Sequence, residues 1–252
     1  MRKLLVCIAM SVAAVGAQAK DWSTLRFGTD ATYAPFESKA SDGRLVGLDI
    51  DLGNEICRRL NAKCVWVESD FDGLIPALKA KKFDGVLSSM SVTPQRAEEI
   101  AFSKDLYLTP TRLLAKAGAN LLPTADSLKG KSVGVEQGTI QETYARTNWA
   151  QKGVRVVAYQ NQDQAYSDLI SGRLDATLQD EVQADQGFLK TPRGVGFAFA
   201  GDRIKTGAAA IGLRKDDTDL KEKIDGAISA MVKDGTFRQF EKKYFSLDLY
   251  EN

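Results

Sequence analysis

The sequence contains no histidine. That removes the commonest metal ligand and the commonest general base, and with them Ser-His-Asp and Cys-His catalysis. Cysteine is scarce, with three in 252 residues. So few thiols without histidine partners do not make a metal site, and no metal or other cofactor is expected. Neither sign of charge is in excess, with 34 basic against 33 acidic residues. Nothing therefore calls for nucleic acid or an anionic membrane as a partner. Long apolar runs are absent too: the longest, Leu4 to Ala14, is too short to span a bilayer. What remains is an ordinary globular composition, 44% hydrophobic, at a length that suits one large domain or two of average size.

The N-terminus reads as a secretory signal. Arg2 and Lys3 precede the apolar run, and Ala17-Gln18-Ala19 is a small-x-small cleavage site, so a cut after Ala19 is expected. Cys7 lies inside the apolar run, not at its end, which is no place for lipid attachment. The mature chain is expected to be soluble and exported. It keeps Cys57 and Cys64. An oxidising compartment favours a disulfide between them, with two unpaired buried thiols as the alternative. Closing so short a loop would stabilise by about 2 kcal/mol in the chain-entropy account.

One stretch, Ser88-Ser89-Met90-Ser91-Val92-Thr93-Pro94-Gln95-Arg96, concentrates polar chemistry after a short apolar strand at 84–87. Thr93 suits an N-cap and Pro94 the first helical position. Arg96 would stand in the opening turn of that helix, where a cation opposes the dipole. A guanidinium there, beside free backbone N–H groups, suits a carboxylate. The competing reading is an exposed surface arginine.

Along the chain, strands at 25–29 and 64–67 flank a helix whose stripe is Leu48, Leu52, Ile56 and Leu60, with Asp49 and Asp51 at its start as the dipole prefers. A second helix, 74–81, precedes the strand that leads into Ser88. This βαβαβ order predicts a parallel sheet. Thr109-Pro110-Thr111 interrupts 100–116, which reads as an extended crossing segment. The pattern then restarts: a strand at 132–135, a helix at 140–148 capped by Thr139, a strand at 154–157, a helix at 164–171, and a strand at 174–178 reaching Asp180. A late strand at 208–214 and two helices split by Gly235 suggest a return to the first half. Lys82-Phe83-Asp84-Gly85 and Arg173-Leu174-Asp175-Ala176 share one frame, an echo expected of two similar α/β lobes.

Taken together, Gly28-Thr29-Asp30-Ala31-Thr32-Tyr33-Ala34-Pro35-Phe36, Gly47-Leu48-Asp49-Ile50-Asp51-Leu52, Ser88 to Arg96, and Gly172-Arg173-Leu174-Asp175 resemble the polar amino-acid-binding proteins of bacterial ABC importers. The nearest likeness is to the lysine/arginine/ornithine- and histidine-binding group. The resemblance covers essentially the whole mature chain. It implies an α/β, two-lobe periplasmic-binding-protein fold of type II, each lobe a mainly parallel sheet flanked by helices, joined by two hinge strands. After the signal (1–19), residues 20–109 and 205–252 would form lobe 1 and 110–204 lobe 2. Implied roles follow position by position. Arg96 pairs with the ligand carboxylate, joined by backbone near Ser91 and Thr139. Asp180 takes the α-ammonium with Ser89 and Ser91. Asp30, beside Ser88, meets a cationic side chain. Tyr33 and Phe71 sandwich its aliphatic stem, Gln141 lies near the pocket mouth, and Cys57 and Cys64 are joined.

Two features depart from that group. Glu136 stands where leucine is usual. A second acid near Asp30 would favour arginine, whose five donors can serve two carboxylates, over lysine, ornithine or histidine; the alternative is a Glu136 that points to solvent. The segment 204–210 is also shorter, which leaves the second hinge open. The expected function is a monomeric, non-enzymatic, periplasmic binding subunit that delivers a basic L-amino acid to an inner-membrane permease. The competitor is an exported cyclohexadienyl or arogenate dehydratase on the same fold, with Glu136 as general acid. A receptor's sensor domain is a third option, disfavoured because no membrane-spanning or signalling segment follows in the sequence.

Overall fold

The computed structural model describes residues 20–204 and 206–245. The expected signal at 1–19 lies outside the described residues. The first half opens with β1 (Thr24–Thr29). Three short strands, β2 (Thr32–Tyr33), β3 (Glu37–Lys39) and β4 (Leu45–Val46), form a small antiparallel sheet of their own. Then come α1 (Leu48–Arg59), β5 (Lys63–Glu68), α2 (Leu74–Lys79), β6 (Gly85–Val86), α3 (Pro94–Glu99) and the long β7 (Ala101–Lys116). The second half holds α4 (Ala125–Leu128), β8 (Ser132–Glu136), α5 (Ile140–Asn148), β9 (Arg155–Tyr159), α6 (Gln162–Ile170), β10 (Ala176–Asp180), α7 (Glu181–Ala184) and β11 (Phe197–Phe199). β12 (Thr206–Leu213), α8 (Thr218–Asp234) and α9 (Thr236–Tyr244) return to the first half.

The main sheet runs β5-β1-β6-β12-β7-β10-β8-β9, with β11 also on β7. β1 is parallel to β5 and β6, and β8 is parallel to β9 and β10. Each lobe is thus a parallel triplet whose first strand is central. β7 links the triplets. It pairs with β12 up to Pro110 and with β10 from Thr111 onward. The change of partner falls at the proline, which has no N–H to give a ladder. The chain crosses back where Ile204 N–H donates to the Thr111 carbonyl at 3.0 Å. The shorter segment therefore still delivers a second strand to the crossing.

Helices cover both faces of each triplet. α1, α8 and α9 bury Leu52, Ile56, Ile224, Ile228 and Phe237 on one face of the first, and Leu74, Leu78 and Phe83 pack on the other. The second lobe does the same with Val133, Val135 and Trp149 on one side and Tyr166, Leu169 and Phe188 on the other. Each large apolar side chain so buried contributes about 2 kcal/mol. Helix starts follow their caps: the hydroxyls of Thr93 and Thr139 accept the N–H groups of Arg96 and Glu142. Asn161 caps α6, which is why that helix begins at Gln162 and not at the expected 164. Gly47, at φ 137°, admits no side chain, because a Cβ would lie 2.1 Å from the Phe36 carbonyl oxygen.

The echo is structural. Asp84 accepts the Arg26 N–H at 3.1 Å and returns its own N–H to the Arg26 carbonyl at 2.8 Å. Asp175 makes the same pair with Ser132, at 2.8 and 2.9 Å. This use of Asp84 shortens the expected strand at 84–87 to Gly85–Val86. Cys57 and Cys64 form a disulfide, Cα atoms 5.6 Å apart, tying the end of α1 to the start of β5.

Candidate binding site

The carboxyl ends of the parallel strands in both lobes point into one cleft, where α/β sheets usually bind ligands. Asp30 follows β1 and is 5% exposed. Its Oδ1 accepts the Thr32 N–H and hydroxyl at 3.1 and 2.7 Å, a local turn that also fixes the carboxylate. The Asp30 N–H donates to Ser88 Oγ at 2.9 Å. Ser88, Ser89 and Ser91 follow β6 and are buried. Ser91 and Thr109 hydroxyls lie 3.3 Å apart. Arg96 is not a free surface group. Its guanidinium donates to the Ser91 carbonyl at 2.7 Å, reaches across the cleft to the Gly138 carbonyl at 3.0 Å, and sits 5.3 Å over the Phe71 ring.

From the second lobe, Glu136 ends β8 and is 3% exposed, so it faces the cleft and not solvent. Thr139 starts α5, and its hydroxyl also donates to the Glu136 carbonyl at 2.7 Å. Asp180 ends β10 at the N-cap position of α7, yet its side chain makes no cap bond. Tyr33 Oη donates to Asp180 Oδ2 at 2.9 Å, from the opposite lobe, and Gln141 Nε2 donates to Oδ1 at 2.8 Å. Gln141, expected near the mouth, lines the cavity and is buried, and its amide also donates to Thr111 Oγ1 at 3.1 Å.

Every one of these expected positions, with Tyr33 and Phe71, lines one cavity. Glu37 and Ile140 line it as well and were missed. Ile140 was legible as the residue after the Thr139 cap; Glu37 gave no signal, since an acid in a polar loop reads as solvated. Asp49 stands in the first turn of α1 as expected, and it is also fully buried, accepting the Ser89 N–H at 2.7 Å and Tyr107 Oη at 2.6 Å. Outside the cavity the lobes also meet through Gln137 and Asp72, at 2.6 Å, and Gln160 and Asp70, at 2.8 Å.

The cavity concentrates acid groups around one cation. Burial pushes Asp180 up to about 6, opposed by its bonds from Tyr33 and Gln141 and by the Arg96 charge. Burial raises Asp30 as well, against the hydrogen bonds from Thr32. Glu136 is pushed well above the usual carboxylate range by burial first and then by the Asp30 charge. Arg96 is lowered to about 10 by burial, against the pull of Asp180. Such a site prefers a ligand that brings one anion for Arg96 and more than one positive group for the carboxylates.

Comparison with known proteins agrees with this geometry. Residues 25–247 match the family described as bacterial extracellular solute-binding proteins, family 3. The lysine/arginine/ornithine-binding periplasmic protein of Escherichia coli (strain K12) is 55% identical over 232 residues, covering 90% of this chain and 89% of that one. The histidine-binding periplasmic protein of the same strain is 48% identical over 99% of both chains. Among solved structures, an ancestral arginine-binding protein bound to arginine superposes with a TM-score of 0.85 at 35% identity, covering 89% of this chain and 99% of that one.

Proposed function

The chain belongs to family 3 of the bacterial extracellular solute-binding proteins, and on that premise we propose that it binds a cationic L-amino acid, arginine ahead of lysine, ornithine and histidine, between its two lobes. The observation that carries this reading is the cavity's charge: four buried carboxyl groups, Asp30, Glu37, Glu136 and Asp180, against one half-buried guanidinium, Arg96. A neutral amino acid would leave an acid without a partner, which is costly in a buried site. In this reading Arg96 holds the α-carboxylate with N–H groups at the α5 start and near Ser91. Asp180 takes the α-ammonium with Ser89 and Ser91. Asp30, oriented by Ser88, and Glu136 share the distal cation, and Tyr33 and Phe71 flank its stem. Gln141 aims Asp180. Arg96 and Asp180 come from opposite lobes, so a ligand that bridges them stabilises the closed form over the open one.

The lobes are assigned as 20–109 with 205–252, and 110–204, hinged where β7 changes partner at Pro110 and where the chain returns after Ile204. A protein of this kind works in the periplasm as a monomer, without catalysis, after a signal is cut at Ala19. It hands its ligand to an inner-membrane permease. The dehydratase reading has one feature in its favour, a Glu136 carboxyl raised well above the usual range by burial and the Asp30 charge. It leaves Asp30 and Asp180 without a role, since such a substrate offers no distal cation.

The deciding experiment is calorimetric titration of the mature protein, unfolded and refolded to strip carried-over ligand, with arginine, lysine, ornithine, histidine and glutamine. Arginine binding below about 1 μM, near 8 kcal/mol, is expected. Asp30→Ala should weaken it strongly, and Glu136→Leu should erase the preference for arginine over lysine. No binding of any basic amino acid, with turnover of arogenate lost in Glu136→Leu, would establish the dehydratase instead.

A further inference from the structure

Two acid groups lie under the Ser88–Ser89 corner and take no part in the ligand roles given above, although Glu37 also lines the cavity. Glu37, on β3, is 1% exposed, and Asp49, in the first turn of α1, is 0% exposed. The Asp49 charge is the largest influence on Glu37 after burial itself. Glu37 Oε2 has no N–H or O–H donor among the described residues. Two neighbouring acids in a dry interior do not both ionise, so one of them keeps its proton.

The surroundings say which group carries it. Asp49 already accepts two donors, the Ser89 N–H at 2.7 Å and Tyr107 Oη at 2.6 Å, which stabilise its charge. Glu37 accepts one, Ser88 Oγ at 3.0 Å, and faces the negative groups of Asp49, Asp30 and Glu136. Burial, then Asp49, pushes Glu37 well above the usual carboxylate range, while burial brings Asp49 to about 6. Glu37 is therefore the acid and Asp49 the acceptor.

The corner they hold is unusual. Ser89 has φ +47°, a left-handed conformation that a non-glycine residue keeps only where its surroundings over-determine it. The Asp49 carboxylate on the Ser89 N–H supplies that constraint. The Ser89 hydroxyl is buried, lacks a partner among the described residues, and lines the cavity. On the other arm, the Ser88 hydroxyl donates to Glu37 and so presents its lone pair to the Asp30 N–H, at 2.9 Å.

We infer that Glu37 and Asp49 are positioning residues that set both ends of the ligand site, Asp49 by holding the Ser89 corner and Glu37 by orienting Ser88 and, through it, Asp30. The inference rests on the cavity being the amino-acid site proposed above.

Shape-conserving variants separate positioning from mere packing. In Glu37→Gln the side-chain oxygen still accepts from Ser88; in Glu37→Leu that bond is lost. In Asp49→Asn a single oxygen cannot serve both Tyr107 and Ser89, and the new NH2 faces a donor. Arginine affinity should fall roughly tenfold to a hundredfold in Asp49→Asn and Glu37→Leu, the scale of one buried donor or acceptor left unpaired. Glu37→Gln should recover most of what Glu37→Leu loses. Hydrogen exchange at the Ser89 amide, measured without added ligand, reads the corner directly: it should quicken in Asp49→Asn and stay slow in Glu37→Gln. If Asp49→Asn does not fold, the Gln/Leu pair at Glu37 decides alone. Equal damage from Glu37→Gln and Glu37→Leu would overturn the inference, as would wild-type affinity and a protected Ser89 amide in Asp49→Asn. Should the wild-type protein bind no basic amino acid, the function proposed above fails, and the Ser89 exchange rates still judge the positioning.

Discussion

Arginine binding should release a proton. Glu136 is buried beside Asp30, and burial with the Asp30 charge raises its carboxyl well above the usual carboxylate range. A guanidinium arriving between the two acids favours the ionised form, so the proton must leave as the ligand enters. Below the raised pKa, each unit of acidification then weakens binding by up to about tenfold, or about 1.4 kcal/mol. Asp180, at about 6, adds to the acid side, because the α-ammonium also needs its carboxylate. Asp30 and Glu136 titrate as a coupled pair, so the measured midpoints belong to both. Titration calorimetry from about pH 5 to about pH 8, in buffers of different ionisation enthalpy, counts the protons directly. Near neutrality about one proton per arginine is expected from the wild type and close to none from Glu136→Gln, which keeps only the Asp180 limb at lower pH. A wild-type affinity that is flat with pH, with no buffer-dependent heat, would refute the charge reading of the cavity.

Arg96→Lys should cost about 2–5 kcal/mol of arginine affinity, because an ammonium cannot reproduce the fork that spans Ser91, Gly138 and the ligand; competition binding would measure it. Replacing both Cys57 and Cys64 by serine should lower stability by about 2 kcal/mol in urea melts while leaving affinity unchanged, since the bridge lies behind α1 and away from the cavity. Asp49 and Asp180, both raised to about 6, bind more protons in the native than in the unfolded chain between about pH 4 and about pH 6. Their contribution to stability is therefore lost as pH rises through that window, by up to about 1.4 kcal/mol per group per unit, and Asp180→Asn should flatten the dependence. Gln137→Ala should weaken binding only a few-fold, as removal of one exposed hydrogen bond of about 1 kcal/mol, and a larger loss would mean the cleft is latched at its rim.

Much of this was legible where the signal is local. Thr93-Pro94 and Thr139 announced two helix starts, and the helices formed there with those caps. The stripe Leu48, Leu52, Ile56 defined α1, and the Asp84 and Asp175 frames announced a repeated unit. What failed was long-range or too short to have a period. Strands of two or three residues, as in β2, β3 and β4, leave no alternation to read. Glu37 and Asp49 looked like loop and first-turn acids, and only the packing of β3 and α1 against the Ser88 corner buries them. The place of Gln141 came only with the family resemblance, and the structure adds its bond to the Asp180 carboxylate.

The return of the chain to its first lobe has a consequence for how the protein forms. The β8, β9 and β10 triplet comes from one continuous stretch of chain, so it can assemble from neighbours in sequence. The first lobe cannot: its core needs Leu52 and Ile56 to meet Ile224, Ile228 and Phe237. Asp51 pairs with Lys243 across 192 residues, and Arg59 with Asp234 across 175. Closing such long loops is entropically expensive and slow. A chain that emerges from its N-terminus therefore keeps the α1 stripe uncovered until its last helices arrive, and the lobe begun first is the lobe completed last.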